Sequence, residues 1–177
     1  MPFQSLREFL QTVEEHGDLL RIEGADREEE IGALAEIVAS TAKHPMLLFD
    51  KIKGYPSGYR VSASTMGRIR RMALGLGLDP ALDNISLVKA WKEKLQTFNP
   101  IESTIVADGP VHENCFSGKQ VDLQKFPAPK WHERDSGYYI GSGCCVLTRD
   151  PDSGWVNMGV YRVIVHVPQP RHMASRA

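Results

Sequence analysis

The stretch from Phe126 to Gly143 reads F-P-A-P-K-W-H-E-R-D-S-G-Y-Y-I-G-S-G, and T-R-D-P-D-S-G-W-V-N-M-G-V-Y-R follows it from Thr148 to Arg162. Residues 138–148 and 156–167 are rich in β-branched and aromatic side chains, a composition that predicts two strands. The turn-forming residues 150–154 lie between them and predict a hairpin with a longer loop. This pattern makes the second part of the chain the start of a β structure.

Outward from this hairpin, short strand-like runs alternate with turn residues back to about residue 100. We expect further strands over residues 103–107, 112–116 and 121–123. Before residue 98 the apolar residues recur at helical spacing instead. The change of pattern predicts a domain boundary near residues 98–110.

The first hundred residues predict alternating helices and strands. Ser5 and Glu8 form the S-x-x-E pattern that begins helices, and Gly17 provides a stop. We expect helices over residues 5–17, 27–43, 65–76 and from Asp83 or Ser86 to about residue 99. Strands are expected over residues 18–22, 46–50 and 59–63. The predicted fold class is therefore α/β, with a small N-terminal α/β domain followed by the beginning of a β-barrel.

Composition places the chain among ordinary soluble globular proteins. Its 177 residues are 42% hydrophobic and 24% charged, and the formal net charge is −1. This charge provides no basic face for nucleic acid. No run approaches the roughly 20 apolar residues that span a bilayer, and residues 1–10 do not resemble a signal peptide. We expect a cytoplasmic protein.

The cluster Arg68, Arg70 and Arg71 can either solvate a helix face or bind phosphate.

Unusual residues in the two hairpin strands indicate a ligand site. Gly141 and Gly143 flank Ser142, and glycine inside a strand often marks a bend or the close approach of a ligand. Asn157 and Arg162 interrupt an apolar strand, where they indicate either an exposed edge or a polar ligand. Five residues of strand span roughly 16 Å, about the length of a flavin mononucleotide.

Alternation along a strand sets a condition for such a site. Asn157 and Arg162 have opposite parity, so a regular strand turns their side chains to opposite faces. Both can face one ligand only if a bulge intervenes, and we expect that bulge at Gly159.

These motifs in combination resemble the UbiD family of decarboxylases. The resemblance rests on F-P-x-P, D-S-G-Y-Y-I-G-S-G, D-P-D-S-G and N-M-G-V-Y-R, in this order. The N-terminal half contributes L-R-E-F-L, G-D-L-L-R-I and L-F-D-K-I-K-G-Y. The resemblance covers almost all of residues 3–165. It implies a split β-barrel that binds prenylated FMN, and reversible, non-oxidative decarboxylation of aromatic or α,β-unsaturated carboxylic acids with the flavin as electron sink.

The resemblance also implies roles for individual residues. Asn157 matches a metal-ligating asparagine, whose amide oxygen suits a hard cation such as Mn2+, which in this family lies beside K+ and holds the flavin phosphate. Arg162 matches the catalytic arginine beside the flavin and the substrate carboxylate. The remaining expected cofactor-binding residues line the same two strands: Ser142, Gly143, Met158, Gly159, Val160 and Tyr161. A flavin prenyltransferase is the implied supplier of the cofactor, and the full-length protein is expected to be a homo-oligomer.

The chain also departs from the family pattern. The family's further metal ligands, a histidine and a glutamate, and its acid–base glutamates are expected downstream of the residues present. His166 and His172 do not match that histidine well. We therefore predict three parts: an N-terminal α/β domain (1–100), a partial prenylated-FMN-binding barrel (101–167) and a tail unlike the family (168–177).

Three functional hypotheses remain from the sequence. The first is the N-terminal part of a decarboxylase that is inactive in isolation, because its metal site and barrel are incomplete. The second is a shortened homologue that acts as a non-catalytic subunit or flavin-binding module. The third is an unrelated split-barrel FMN reductase or oxidase. The continuation of the reading frame separates the first two, and the absorbance of the bound chromophore separates the third.

Overall fold

The computed structural model describes residues 2–102, 104 and 106–165. The predictions for His166, His172 and the tail 168–177 lie outside these residues. The described chain is mixed α/β, as predicted, with small sheets. Its helices and strands are α1 (Leu6–Glu15), β1 (Leu19–Glu23), α2 (Glu30–Ala39), β2 (Met46–Asp50), β3 (Val61–Ala63), α3 (Ile69–Leu76), α4 (Asn84–Gln96), β4 (Tyr138–Arg149) and β5 (Val156–Val165).

The chain divides into two compact units. Among the described residues, one consists of those within 1–21, 37–48 and 62–122, and the other of those within 22–36, 49–61 and 123–177. Each unit is thus assembled from three separate stretches of sequence. The division at residue 100, which was based on sequence pattern alone, stays a prediction.

Side-chain caps determine where several helices begin. The Ser5 hydroxyl accepts a hydrogen bond from the Glu8 amide at the start of α1 (3.3 Å), as the sequence predicts. The Asp83 carboxylate accepts from the Ile85 and Ser86 amides and begins α4. At α2 the predicted range 27–43 is too long. Asp26 accepts from the amides of residues 28–30, so the regular helix begins only at Glu30.

Three strands form one small sheet in the order β1–β2–β3. In β2 the four residues Met46–Phe49 are buried. Met46 and Leu48 pack with Phe9, Leu10 and Val13 of α1 in a hydrophobic core. The apolar stripe of α1, spaced three and four residues apart, therefore covers one face of β2 as an amphipathic helix should.

Arg71 on α3 is fully buried and serves the fold. Its guanidinium donates to the Asp18 carboxylate at 2.6 Å and to the backbone carbonyls of His44, Ser64 and Thr65 at 3.0–3.1 Å. A buried charge must be paired and hydrogen-bonded, and these four acceptors satisfy that requirement.

Residues 101–126, between the helical first part of the chain and the β4–β5 hairpin, differ from the prediction. Within the described residues of 101–126 there are no strands, and three short 3-10 helices occur at Pro110–His112, Gly118–Gln120 and Leu123–Lys125. The strands predicted at 112–116 and 121–123 are therefore wrong, and residues 103 and 105 of the third lie outside the described chain. Short apolar runs bounded by glycine and proline suit a single helical turn as well as a strand.

Among the described residues, none of the helices is long and apolar enough to cross a membrane.

Candidate functional site

The candidate site lies on a two-stranded antiparallel ribbon, β4 and β5. The predicted turn joins them. The Asp150 carboxylate accepts from the Ser153 amide (2.7 Å), the Ser153 hydroxyl (2.8 Å) and the Asp152 amide (3.1 Å). These hydrogen bonds, chiefly those from Ser153, hold the pKa of Asp150 below its ordinary value. Gly154 closes the turn with a φ of 71°.

The register of the ribbon is regular over the half next to the turn. Residues 156–161 pair in succession with residues 149–144. Asn157 lies opposite Thr148, and Gly159 lies opposite Val146. Strand alternation therefore places Asn157, Gly159 and Tyr161 on one face, and Met158 and Val160 on the other.

The irregularities lie on β4 rather than on β5. Between the pairs Cys144–Tyr161 and Gly141–Val163, β4 has two residues, Ser142 and Gly143, where β5 has only Arg162. A second shift occurs between Tyr139 and Gly141. Ser142 and Gly143 thus form a β-bulge opposite Arg162.

The bulge predicted at Gly159 is therefore wrong. Gly159 is part of the regular ladder, and β5 keeps its alternation from Asn157 to Tyr161. Asn157 and Arg162 accordingly project from opposite sides of β5. The physical reason is that the extra residue of a bulge can be supplied by either strand, and here the glycine-flanked Ser142 on β4 supplies it.

Contacts at two glycines support this description of the strands. A Cβ added at Gly159 would come 2.9 Å from Cζ and Oη of Tyr161, so the tyrosine ring folds over the glycine on their shared face. A Cβ at Gly141 would overlap the sulfur of Cys144. Residues three apart do not share a face in a regular strand, so this overlap is a consequence of the bulge between them.

Asn157 and Arg162 are available to a ligand. Asn157 is half-buried and Arg162 is exposed. Within the described residues neither side chain has a hydrogen-bond or ion-pair partner. An amide oxygen is a suitable ligand for Mn2+, and a guanidinium can donate two hydrogen bonds to a carboxylate. The chemistry of both residues thus fits the metal and the acid that the resemblance implies.

The described residues contain no ready-made cluster of metal-binding side chains. Over 2–102, 104 and 106–165, no three His, Cys, Asp or Glu side chains are grouped so that they could hold a metal ion.

A cluster that sequence reasoning missed anchors the start of β4. The guanidinium of Arg27 stacks on the ring of Tyr138, 4.0 Å from its centroid, and lies 5.5 Å from that of Tyr55. The Tyr138 hydroxyl donates to the Glu28 carboxylate at 3.0 Å. Burial, together with this hydrogen bond, raises the pKa of Tyr138. The partners are 110 residues apart in sequence, so no local pattern could have paired them.

Backbone packing strengthens the same anchor. The Lys130 amide donates to the Arg27 carbonyl (2.9 Å), and the Tyr139 amide donates to the Pro129 carbonyl (2.9 Å). A Cβ on Gly32 would overlap the Trp131 carbonyl oxygen and would meet the Lys130 carbonyl oxygen at 2.7 Å, so only glycine fits there. The segment before β4, which carries the F-P-A-P-K-W motif, is thus fixed by the start of α2.

Two family domains match the chain. Residues 10–91 match the 3-octaprenyl-4-hydroxybenzoate carboxy-lyase N-terminal domain. Residues 104–176 match the 3-octaprenyl-4-hydroxybenzoate carboxy-lyase Rift-related domain. The second match includes most of residues 168–177, the tail that we expected to be unlike the family.

Characterised relatives agree with these matches. The chain is 32% identical over 174 residues to the phenolic acid decarboxylase of Escherichia coli O157:H7, a match that covers 93% of this chain and 36% of that protein. It is 32% identical over 167 residues to the pyrrole-2-carboxylic acid decarboxylase of Pseudomonas aeruginosa, with 90% and 33% covered. The chain therefore spans about a third of the length of the curated relatives that it matches.

Solved structures give the same result. The closed form of the vanillic acid decarboxylase of Sedimentibacter hydroxybenzoicus superposes with a TM-score of 0.82 at 30% identity. The match covers 93% of this chain and 36% of that one. With both halves of the sequence and the described fold in agreement, the chain belongs to the UbiD family of decarboxylases.

Proposed function

We propose that this chain is the N-terminal part of a reversible, non-oxidative decarboxylase of aromatic or α,β-unsaturated carboxylic acids that uses prenylated FMN. The observation that carries the proposal is the family membership, which covers both halves of the chain. The relatives are named as decarboxylases of phenolic and pyrrole acids, which favours a small planar acid as substrate.

The proposed roles follow the chemistry of the ribbon residues. Asn157 supplies one oxygen ligand to a Mn2+ that, with K+, holds the phosphate of the cofactor. Arg162 holds the substrate carboxylate with a planar pair of donors. Ser142 and Gly143 bring backbone close to the ligand at the bulge, and residues 158–161 run beside it. When bound, the prenylated flavin supplies the electron sink for loss of carbon dioxide.

Asn157 and Arg162 project from opposite sides of β5 and so do not face one ligand across a bulge at Gly159. The proposal therefore assigns them to two different groups, the metal ion and the substrate acid. We expect Asn157→Ala to weaken Mn2+ binding and Arg162→Gln to weaken binding of the acid. In the double variant, the loss of Mn2+ affinity should equal that of Asn157→Ala and the loss of acid affinity should equal that of Arg162→Gln. Arg149→Gln, at the turn end of the same ribbon, is the matched control for Arg162.

The exposed surface of the ribbon supports the view that the chain is a part of a larger barrel. Leu147, Met158 and Val160 lie together on one face of the ribbon and are largely exposed. A two-stranded ribbon is rarely stable alone, and apolar faces normally pack against further structure. We propose that additional strands of a split β-barrel cover this face in the full-length protein.

The test has two arms. The product of the complete reading frame, co-expressed with a flavin prenyltransferase, should release carbon dioxide from a phenolic or pyrrole acid. Residues 1–177 alone, given prenylated FMN, Mn2+ and K+, should not, because the metal ligands and the barrel are incomplete. A complete product that binds the cofactor but has no such activity would contradict the function. It would favour the non-catalytic subunit or flavin-binding module instead. Turnover by residues 1–177 alone would contradict the assignment as an inactive part.

A further inference from the structure

The three arginines at the start of α3 have different surroundings, although they are close in sequence. Arg71 is buried and fully engaged with Asp18 and three backbone carbonyls. Arg68 and Arg70 are exposed and line a solvent-open cavity of about 500 Å³. We propose that this cavity is a binding site for the phosphate group of a small molecule. It is distant in sequence from β4 and β5 and is not used by the proposed decarboxylase site.

The lining of the cavity is positive. Three segments form it, within residues 41–44, 67–70 and 80–84. Arg68 and Arg70 supply two permanent charges, and His44 supplies an imidazole beside them. Among the described lining residues there is no carboxylate. Asp83 lies next to the lining residue Asn84, but its oxygens already accept from the Ile85 and Ser86 amides and the Ser86 hydroxyl.

The two exposed arginines differ in their hydrogen bonding. Arg68 lines the cavity and donates to the Lys43 carbonyl. Arg70 has no hydrogen-bond or ion-pair partner within the described residues. The first turn of α3 adds backbone donors, because its N-cap residue Arg68 makes no side-chain capping hydrogen bond. Arginine matches the geometry of phosphate oxygens with two parallel donors, and a pair of arginines balances the double charge of a phosphate monoester.

Hydrogen bonds hold the backbone behind one wall of the cavity, at His44. His44 and Ser64 have positive φ values of 34° and 56°, and Arg71 holds the carbonyls of both. The His44 imidazole hydrogen-bonds the Ser64 hydroxyl at 3.1 Å, and a Cβ on Gly67 would come 2.9 Å from the imidazole. Strained backbone persists only where its surroundings fix it, and it often occurs at binding sites. The buried Arg71 therefore supports the surface that Arg68 and Arg70 line.

The size of the cavity limits the ligand. Ligand pockets in proteins are roughly 300–1,000 Å³, and this cavity falls in that range. It holds a phosphate with a small organic group, such as an aryl or alkyl phosphate, rather than a nucleic acid, which would need a longer basic surface.

The experiment is a calorimetric titration of the 177-residue chain with inorganic phosphate and with phenyl phosphate at constant ionic strength. Benzoate is the carboxylate probe of the same shape. We expect saturable 1:1 binding, tighter for phenyl phosphate than for benzoate. Loss of charge-assisted hydrogen bonds in Arg70→Gln should weaken it roughly tenfold or more. Arg68→Gln should weaken it as well, and Arg7→Gln, an exposed arginine on α1, should leave it unchanged.

Three results would overturn the proposal. One is the absence of saturable phosphate binding at millimolar concentrations. Another is equal phosphate affinity in the wild type, Arg70→Gln and Arg68→Gln, which would show that binding occurs elsewhere. The third is benzoate binding as tight as phenyl phosphate binding, which would make the site one for carboxylates. Because Arg70 is exposed and makes no hydrogen bond or ion pair with the described residues, circular dichroism of Arg70→Gln should match the wild type, so loss of affinity reports on the cavity.

Discussion

Strands β2 and β5 are both apolar in sequence, but their side chains have opposite surroundings. Met46 in β2 is 0% exposed, whereas Met158 in β5 is 69% exposed. Two arginines repeat the contrast: Arg71 is buried with four acceptors, and Arg162 is exposed without a partner among the described residues. The comparison shows that an apolar strand sequence indicates only that other structure must pack against the strand. Whether the cover is present depends on what packs against the strand, here α1 for β2.

The largest expected difference separates the two arginines. Arg71→Met should destabilise the chain by about 3–5 kcal/mol. The substitution leaves the nearly buried Asp18 carboxylate without its ion-pair partner and three backbone carbonyls without a donor. Arg162→Met should change the free energy of unfolding by no more than about 0.5 kcal/mol, as exposed substitutions do. Urea unfolding followed by circular dichroism measures both. An equal loss of unfolding free energy in both variants would contradict this prediction and show that Arg162 also has a structural partner.

The two methionines provide the next test. Met46→Ala should cost about 2–5 kcal/mol, because it leaves a cavity between β2 and α1. Met158→Ala should cost at most about 0.5 kcal/mol in the 177-residue chain. The same urea titration gives both values. In a longer product of the gene, Met158→Ala should become costly if further strands cover β5. An unchanged cost there would argue against a completed barrel.

A pair of glycines tests close backbone packing. Gly32→Ala should be destabilising, because overpacking against the fixed Lys130 carbonyl costs about 1–3 kcal/mol, more than the roughly 1 kcal/mol that alanine gains over glycine in a helix. Gly159→Ala should cost less, since the Tyr161 ring that covers it can rotate away. Thermal unfolding midpoints of the two variants compare them directly. A larger loss at Gly159 would show that Tyr161 is fixed over the strand.

The smallest effect concerns pH and the hairpin turn. The folded pKa of Asp150 lies below its ordinary value of 3.8. A depressed carboxyl pKa contributes stability above the unfolded pKa, and this contribution is lost as the pH falls through the folded value. The Ser153 amide chemical shift should therefore titrate with a midpoint below 3.8. Asp150→Asn should remove this titration. A midpoint at or above 3.8 in the wild type would contradict the ionised turn.

Much of the fold was predictable because its signals are local. Ser5 and Asp83 cap their helices through side-chain contacts two or three residues away, and the Asp150–Gly154 turn has the residues that such a turn requires. The helix at α2 was predicted too long at both ends. The amides of residues 28–30 bond the Asp26 carboxylate in a turn before the helix, and the Ser40 and Thr41 hydroxyls bond the last carbonyls of the helix. The short runs between residues 110 and 125 were wrongly predicted as strands, because their apolar content suits a single turn of helix equally well.

The sequence by itself determined the family, the identity of the two hairpin strands and the residue types at the candidate site. The tertiary structure alone decided which strand of the ribbon supplies the bulge, which of the three arginines is buried, and which residues anchor the start of β4. The physical reason is distance along the chain. Capping and alternation act within a few residues, whereas the bulge opposite Arg162, the pairing of Arg71 with Asp18 and the contact of Arg27 with Tyr138 join residues 20 to 111 positions apart, which only packing brings together.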